Sequence, residues 1–254
     1  MRLGSVLKLN QQIRMMSVKS FAMKHVKSLA TVALLAGTMG LTSCLDDDDQ
    51  LDYPDAGYIS IYNGAASNSG VIVYADQNRV NNLPLKYAEA LPYSNFFPGD
   101  RLFKFSEPNS LTSLLEKEFE IKIDSVYSMF VLEDAGELDA VLVDDDWSEP
   151  TAEEAQIRMI NLSPDAGSVS LRIDEVEDPI FSDLAFKSNS EFAGLATAIY
   201  DLTVISSDGE TLATATNVEL DGNRVYSLVL RGYKQTTENA KKLDLQLLTN
   251  YIDY

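Results

Sequence analysis

The chain has 254 residues, 45% hydrophobic and 23% charged, with 20 Lys/Arg against 39 Asp/Glu and a net charge of −19. A field of that sign repels phosphate backbones, so nucleic acid is excluded as a partner class. With one Cys and one His in the whole chain, there is no disulfide framework and no set of thiolate and imidazole ligands for zinc.

Lys24, His25 and Lys27 precede an apolar run, Ser28 to Leu41, of 14 residues. A basic stretch, a short apolar stretch and small residues before a cut site make a secretory signal. The run is too short to cross a hydrocarbon core of ~30 Å as a helix. Leu41-Thr42-Ser43-Cys44 resembles the lipobox of bacterial lipoproteins, which implies cleavage before Cys44 and acylation of its sulfur and new amino group. Acyl chains at Cys44 would attach the chain to a membrane. Asp46-Asp47-Asp48-Asp49 resembles the acidic export signal of surface lipoproteins in one phylum of Gram-negative bacteria. The resemblance implies an outer-membrane lipoprotein exposed at the surface, with a periplasm-facing anchor as the alternative. The first 22 residues add nothing to the signal, and Met23 is a candidate start. Residues 1–43 are read as signal peptide and 44–55 as lipidated Cys and acidic tether.

Cleavage would remove six of the 20 Lys/Arg, His25 and no acidic residue, leaving fourteen basic against 39 acidic residues, a net charge of −25. Without His, and with its only Cys acylated, that chain has no Ser-His-Asp or Cys-His nucleophile and no zinc ligands. Paired carboxylates could serve acid–base or glycosidase chemistry, but no pair stands out among 39. Asp46 to Asp49 and Asp144 to Asp146 lack the alternating spacing of a calcium loop. The expectation is no catalytic residue, no metal and no cofactor.

The 211 residues from Cys44 onward allow two domains of ~100 residues. From Gly57, short β-type runs alternate with turn residues. They are Tyr58 to Asn63, Val71 to Asp76, Arg101 to Phe105, Phe119 to Ile123, Val126 to Leu132 and Leu138 to Val143. The stretch with Pro84, Pro92 and Pro98 reads as a meander. Asp144 to Pro150 breaks the pattern, which restarts at Gln156 to Asn161. Val169, Leu171 and Ile173 alternate with polar neighbours, the period of a half-buried strand. Ile199 to Ile205, Thr211 to Val218, Val225 to Arg231 and Leu243 to Leu248 follow, with Asp208-Gly209 and Asp221-Gly222 as turn signals.

The two halves repeat. Asn63 and Asn161, and Val71 to Asp76 and Val169 to Asp174, are 98 residues apart. Leu85 and Leu184, and Val126-Tyr127-Ser128 and Val225-Tyr226-Ser227, are 99 apart; Leu138-Asp139 and Leu243-Asp244 close each copy. This predicts an all-β protein of two tandem antiparallel β-sandwiches of roughly seven strands each, at 56–147 and 155–254, joined by a linker at 148–154.

Asn161-Leu162-Ser163-Pro164-Asp165-Ala166, followed by the alternating strand, resembles the family known as domain of unknown function 4397. The resemblance covers 155–250 more fully than 57–144. The first copy has Gly64-Ala65-Ala66-Ser67 at the Ser-Pro-Asp turn, and the second has Ala198 where the first keeps a turn Gly, Gly99. Members are exported bacterial proteins and lipoproteins with immunoglobulin-like repeats and no assigned activity, which implies fold and location only.

Ser163, Pro164 and Asp165 could form a ligand loop, but turn formation accounts for all three. Tyr127 and Tyr226 resemble the tyrosine corner of immunoglobulin-like sandwiches, with a sugar-stacking platform as the alternative. Tyr87, Tyr93, Phe96, Phe97 and Phe103 could offer exposed aromatic faces to a glycan or fill a core. Trp147 is expected to pack at the domain junction. Asp124-Ser125-Val126 fits a short bacterial O-glycosylation pattern that occurs readily by chance. The expected function is a non-catalytic binding, adhesion or accessory module with a protein or glycan ligand. The alternative is a glycan-binding component of an outer-membrane uptake system.

Overall fold

The computed structural model describes residues 55–110, 112–173 and 176–252. Cys44 and Asp46 to Asp49 lie outside the described residues. The β-branched and aromatic runs of the first copy form β1 (Gly57–Asn63), β2 (Ile72–Ala75), β3 (Asn78–Arg79), β4 (Ala90–Phe96), β5 (Gly99–Ser106), β6 (Ser113–Ile121), β7 (Val126–Asp134) and β8 (Glu137–Asp144). The second copy forms β9 (Glu154–Asn161), β10 (Val169–Ile173), β11 (Phe181–Leu184), β12 (Ala193–Ala196), β13 (Ala198–Ser206), β14 (Thr211–Leu220), β15 (Arg224–Arg231) and β16 (Asp244–Ile252).

Each copy is a sandwich of two four-stranded sheets, ordered β4-β1-β7-β8 and β3-β2-β5-β6 in the first, β12-β9-β15-β16 and β11-β10-β13-β14 in the second. Adding eight to each strand number converts one topology into the other. Among the described residues each copy thus has eight strands, one more than expected. Pro92 did not prevent β4 from forming because β4 is an edge strand, where a missing N–H is tolerated. β11 and β12 have four residues each and almost no β-branched or alternating signal.

The sheets are not wholly antiparallel. β1 runs parallel to β7, and β9 to β15. The chain passes through the opposite sheet between these strands, so the reversal that a hairpin imposes does not apply. Backbone details also recur at the repeat offset. Ala88 and Lys187 have φ of 65° and 68°, and Asp124 and Asn223 have 55° and 57°.

Residues 56–254 form one compact unit, with three apolar clusters among the described residues. One lies inside the first sandwich around Phe103, Phe105 and Met129, and one inside the second around Ile157, Met159 and Leu228. The third joins the copies, with Tyr62, Phe130 and Leu132 against Ile160, Leu162 and Val229. Sheet β4-β1-β7-β8 therefore packs on sheet β12-β9-β15-β16, and their central strands are covered on both faces. β7 and β15 are buried almost end to end, like strands inside a layered α/β sheet. Gly64 and Leu162, equivalent positions, meet here: a Cβ on Gly64 would lie 2.7 Å from Leu162 Cδ1.

Arg158, on the outward face of β9, has a side chain only 1% exposed and pairs with Asp145, whose side chain is fully buried. Arg158 Nε donates to Ser227 Oγ at 2.9 Å and Nη1 to the Asp144 carbonyl at 3.1 Å. Phe192 lies under the guanidinium at 4.5 Å. Asp145 Oδ2 accepts from Ser128 Oγ at 2.8 Å and from the Tyr93 hydroxyl. Asn250 Nδ2 donates to Tyr93 at 2.8 Å. Breaking a fully buried pair leaves an uncompensated charge, whereas replacing both partners with apolar groups removes the desolvation cost as well. Asp145→Ala should therefore lose ~3–5 kcal/mol in urea unfolding, and the double replacement Arg158→Met with Asp145→Leu should recover most of that loss.

Candidate functional site

The singled-out polar residues are held by the scaffold. Asn161 is fully buried; its Nδ2 donates to the Gly167 and Leu184 carbonyls and its Oδ1 accepts the Ser163 N–H. Asn63 does the same in the first copy, donating to the Leu85 carbonyl at 2.9 Å and accepting from Ala65 N–H at 3.1 Å. Ser163 is fully buried and donates to Asp165 Oδ1 at 3.2 Å. Asp165 also accepts the Lys234 and Gln235 N–H groups at 2.8 and 2.9 Å. The turn holding Ser163, Pro164 and Asp165 thus clasps the loop after β15.

Tyr127 accepts the Lys122 N–H and Tyr226 the Asp221 N–H, both at 3.2 Å. Each hydroxyl ties the start of its strand to backbone five residues upstream, leaving neither ring as a stacking platform. Phe96 and Phe103 are buried in the first core with ring centroids 5.5 Å apart. Tyr93 is in the Asp145 network, and Tyr87 lies 4.9 Å from the Arg231 guanidinium. Of that stretch only Phe97 stands out, at 65% exposure. Trp147 stacks on Tyr251 at 5.9 Å and meets Phe192 edge-on at 5.8 Å.

Sequence reasoning missed a polar cleft of about 260 Å³ on the outer face of sheet β3-β2-β5-β6. The register places Tyr74 beside Lys104 and Lys104 beside Glu116, and Ser106 beside Ser113. Asp76 and Gln77 close one end; Ser106, Ser110 and Ser113 line the other. Lys104 Nζ is 3.7 Å from Glu116, which also accepts from Ser113 Oγ at 2.8 Å. Asp76, in the left-handed region at φ 54°, accepts the Leu102 N–H and Arg101 Nη1, both at 3.1 Å. The Ser106 hydroxyl is buried and bonds to no protein atom. The signal for this cleft was the polar side of β5 and β6, visible in Lys104, Ser106, Ser113 and Glu116 once their register is known.

The Leu102 N–H and then Arg101 hold the Asp76 carboxyl below its ordinary value. Ser206 and backbone N–H groups lower Asp208. Burial acts to raise Asp139, but hydrogen bonds from Lys187, Lys117 and the Ala140 N–H outweigh it and hold the group at about 2. Lys187, from the second copy, lies 2.6 Å from Asp139 and 2.7 Å from Asp134 of the first. Among the described residues, no group of three or more His, Cys, Asp or Glu is arranged to hold a metal ion.

Residues 57–172 match the family described as Domain of unknown function (DUF4397). The DUF4397 match takes in the first sandwich, the linker, β9 and the turn Leu162 to Gly167, and ends within β10. It lies mainly on the first copy, whereas the resemblance read from the residues was fuller in the second. The strand pairings carry the same topology through the remaining strands. No curated protein matches the chain. Several solved structures show faint similarity, and three of them illustrate it. One is a streptococcal virulence factor described as binding alpha-glucan, with 9% identity, 69% of this chain and 93% of that chain covered and a TM-score of 0.23. Another is a putative cell adhesion protein from Bacteroides eggerthii, with 6% identity, 78% and 97% covered and a TM-score of 0.22. The third is a DUF3823 family protein from Bacteroides ovatus, with 8% identity, 66% and 99% covered and a TM-score of 0.19. Likeness this slight carries nothing over to the chain.

Two outcomes follow from the geometry. Tyr127→Phe and Tyr226→Phe should each cost ~1 kcal/mol in chemical unfolding, the worth of one hydrogen bond whose N–H partner is left behind. Asp139 is more acidic folded than at its ordinary value of 3.8, so its stabilisation is fully present above about pH 4 and is lost as pH falls toward about 2. Thermal melts of the wild type should fall more steeply across that window than those of Asp139→Asn.

Proposed function

We propose that the protein is a lipid-anchored component of the bacterial envelope, attached through Cys44, whose two sandwiches act as one non-catalytic binding or adhesion module. The single observation that carries the non-catalytic reading is the state of the carboxylates. Among the described residues, the carboxylates moved from their ordinary values, Asp76, Asp139 and Asp208, all move downward, each committed to donors that favour its charged form. A carboxyl general acid needs the opposite shift, produced by an apolar pocket or a like charge. The cleft on the first copy offers hydrogen-bonding groups, with Lys104 Nζ 3.7 Å from Glu116 and Asp76 held by Arg101.

The anchor reading rests on Leu41-Thr42-Ser43-Cys44 after the basic and apolar stretches, and the surface reading on Asp46 to Asp49. The alternative, a glycan-binding component of an uptake system, loses its support from the aromatic stretch, since only Phe97 is exposed there. It keeps the support of the polar cleft.

The test is expression of the intact chain in a Gram-negative host with labelled palmitate. Label should enter the wild type and be absent from Cys44→Ala, and external protease should degrade the wild type on whole cells. The purified protein should turn over neither glycosides nor esters; measurable hydrolysis dependent on any of its carboxylates would overturn the non-catalytic reading.

A further inference from the structure

Ser106 is 5% exposed, its hydroxyl has no protein partner, and it lines the cleft. A buried hydroxyl left unpaired costs on the order of 1–3 kcal/mol, so its retention needs a reason. The second copy shows that the fold does not supply one. Ile72 pairs with Ser106 in the first copy, and Ser170 with Ile205 in the second. Ile205 therefore holds the position of Ser106 and is itself buried. Each copy pairs one Ile with one buried Ser here, but Ser170 of the second copy accepts the Asp183 N–H at 3.1 Å, whereas the Ser106 hydroxyl has no protein partner.

The neighbouring positions diverge in the same way. Tyr74 pairs with Lys104 where Arg172 pairs with Thr203, and Lys104 with Glu116 where Thr203 pairs with Thr214. Only the first copy thus sets a phenol, an ammonium, a carboxylate and serine hydroxyls around one cleft. The charges within it are already matched, Lys104 with Glu116 and Arg101 with Asp76. A charged ligand would have to displace these pairs, whereas a neutral ligand bearing several hydroxyls can donate to the carboxylates and accept from Lys104 and Ser106 without breaking them. At about 260 Å³ the space falls just below the ~300–1,000 Å³ of sites for drug-sized ligands, the scale of one sugar ring.

We infer that this cleft is a binding site for a single neutral sugar unit, with the Ser106 hydroxyl as a buried donor to one ligand oxygen. This deepens, and rests on, the reading of the protein as a non-catalytic binding module.

The test is amide NMR of the full chain in detergent, titrated separately with neutral methyl glycosides of glucose, galactose and mannose, with glycine and with inorganic phosphate. At least one glycoside should give saturable shifts at Gln77, Lys104 and Ser106, and glycine and phosphate should not. Ser106→Ala should weaken that binding roughly tenfold, the loss of about one hydrogen bond, without lowering the melting temperature. A purely structural serine would show the reverse pattern. Unchanged affinity in Ser106→Ala, shifts only for glycine or phosphate, or no glycoside shifts at the cleft would overturn the inference. Glycoside shifts elsewhere on the surface would sink the cleft assignment and leave the binding-module reading standing, which falls only to turnover.

Discussion

The structure depends on one ion pair placed where neither partner meets water. Arg158 and Asp145 lie between the two sandwiches, each with every charged atom occupied: Ser227 and the Asp144 carbonyl on one side, Ser128 and Tyr93 on the other. Desolvating two charges is costly, and attraction offsets that cost only when the remaining hydrogen bonds are made. The pair therefore constrains geometry. Asp145 follows the last strand of the first copy directly, and its N–H donates to the Val126 carbonyl at 2.8 Å. The segment between the copies begins as part of the packed interface.

The apolar side of the junction follows from duplication. The faces that meet are equivalent sheets, and equivalent residues recur on the two sides of the contact: Tyr62 with Ile160, Phe130 with Val229, Gly64 with Leu162. An isologous dimer interface has this self-complementary character, here within one chain. It also accounts for a difference between the two copies. Gly64 stands where the second copy has Leu162 because the two positions face each other, and two large side chains would collide.

Much of the fold was legible in the sequence. The period of the strands, the turn residues and the repeat offset identify two β-sandwiches, and Asn63 and Asn161 mark the same strand end in each. Central strands such as Val126 to Leu132 read as apolar runs, but their second covered face belongs to another domain, which local periodicity cannot reveal. Asp145 looked like one more solvated acid among many. Arg158, at an outward site on a central strand, gave no reading of a partner either. The parallel pairings of β1 with β7 and of β9 with β15 depend on chain crossings that no local pattern encodes. The cleft was illegible for a related reason: its polar residues come from separate strands, and each alone looks like ordinary surface.

The two copies share a topology but differ in what constrains them. Their inner-facing sheets are held by the common interface, where a change on one side must be matched on the other. Their outer sheets, β3-β2-β5-β6 and β11-β10-β13-β14, carry no such mutual constraint and can diverge once the pair is stable. The divergence is visible at matched register positions: Lys104 against Thr203, Glu116 against Thr214, and Ser106 against Ile205. At the last of these the second copy has a buried apolar residue, and the first holds a hydroxyl the scaffold does not use. Both outer sheets hold an unsatisfied buried group, Ser106 in the first copy and Arg172 in the second, a cost that the stability carried by the shared interface can offset.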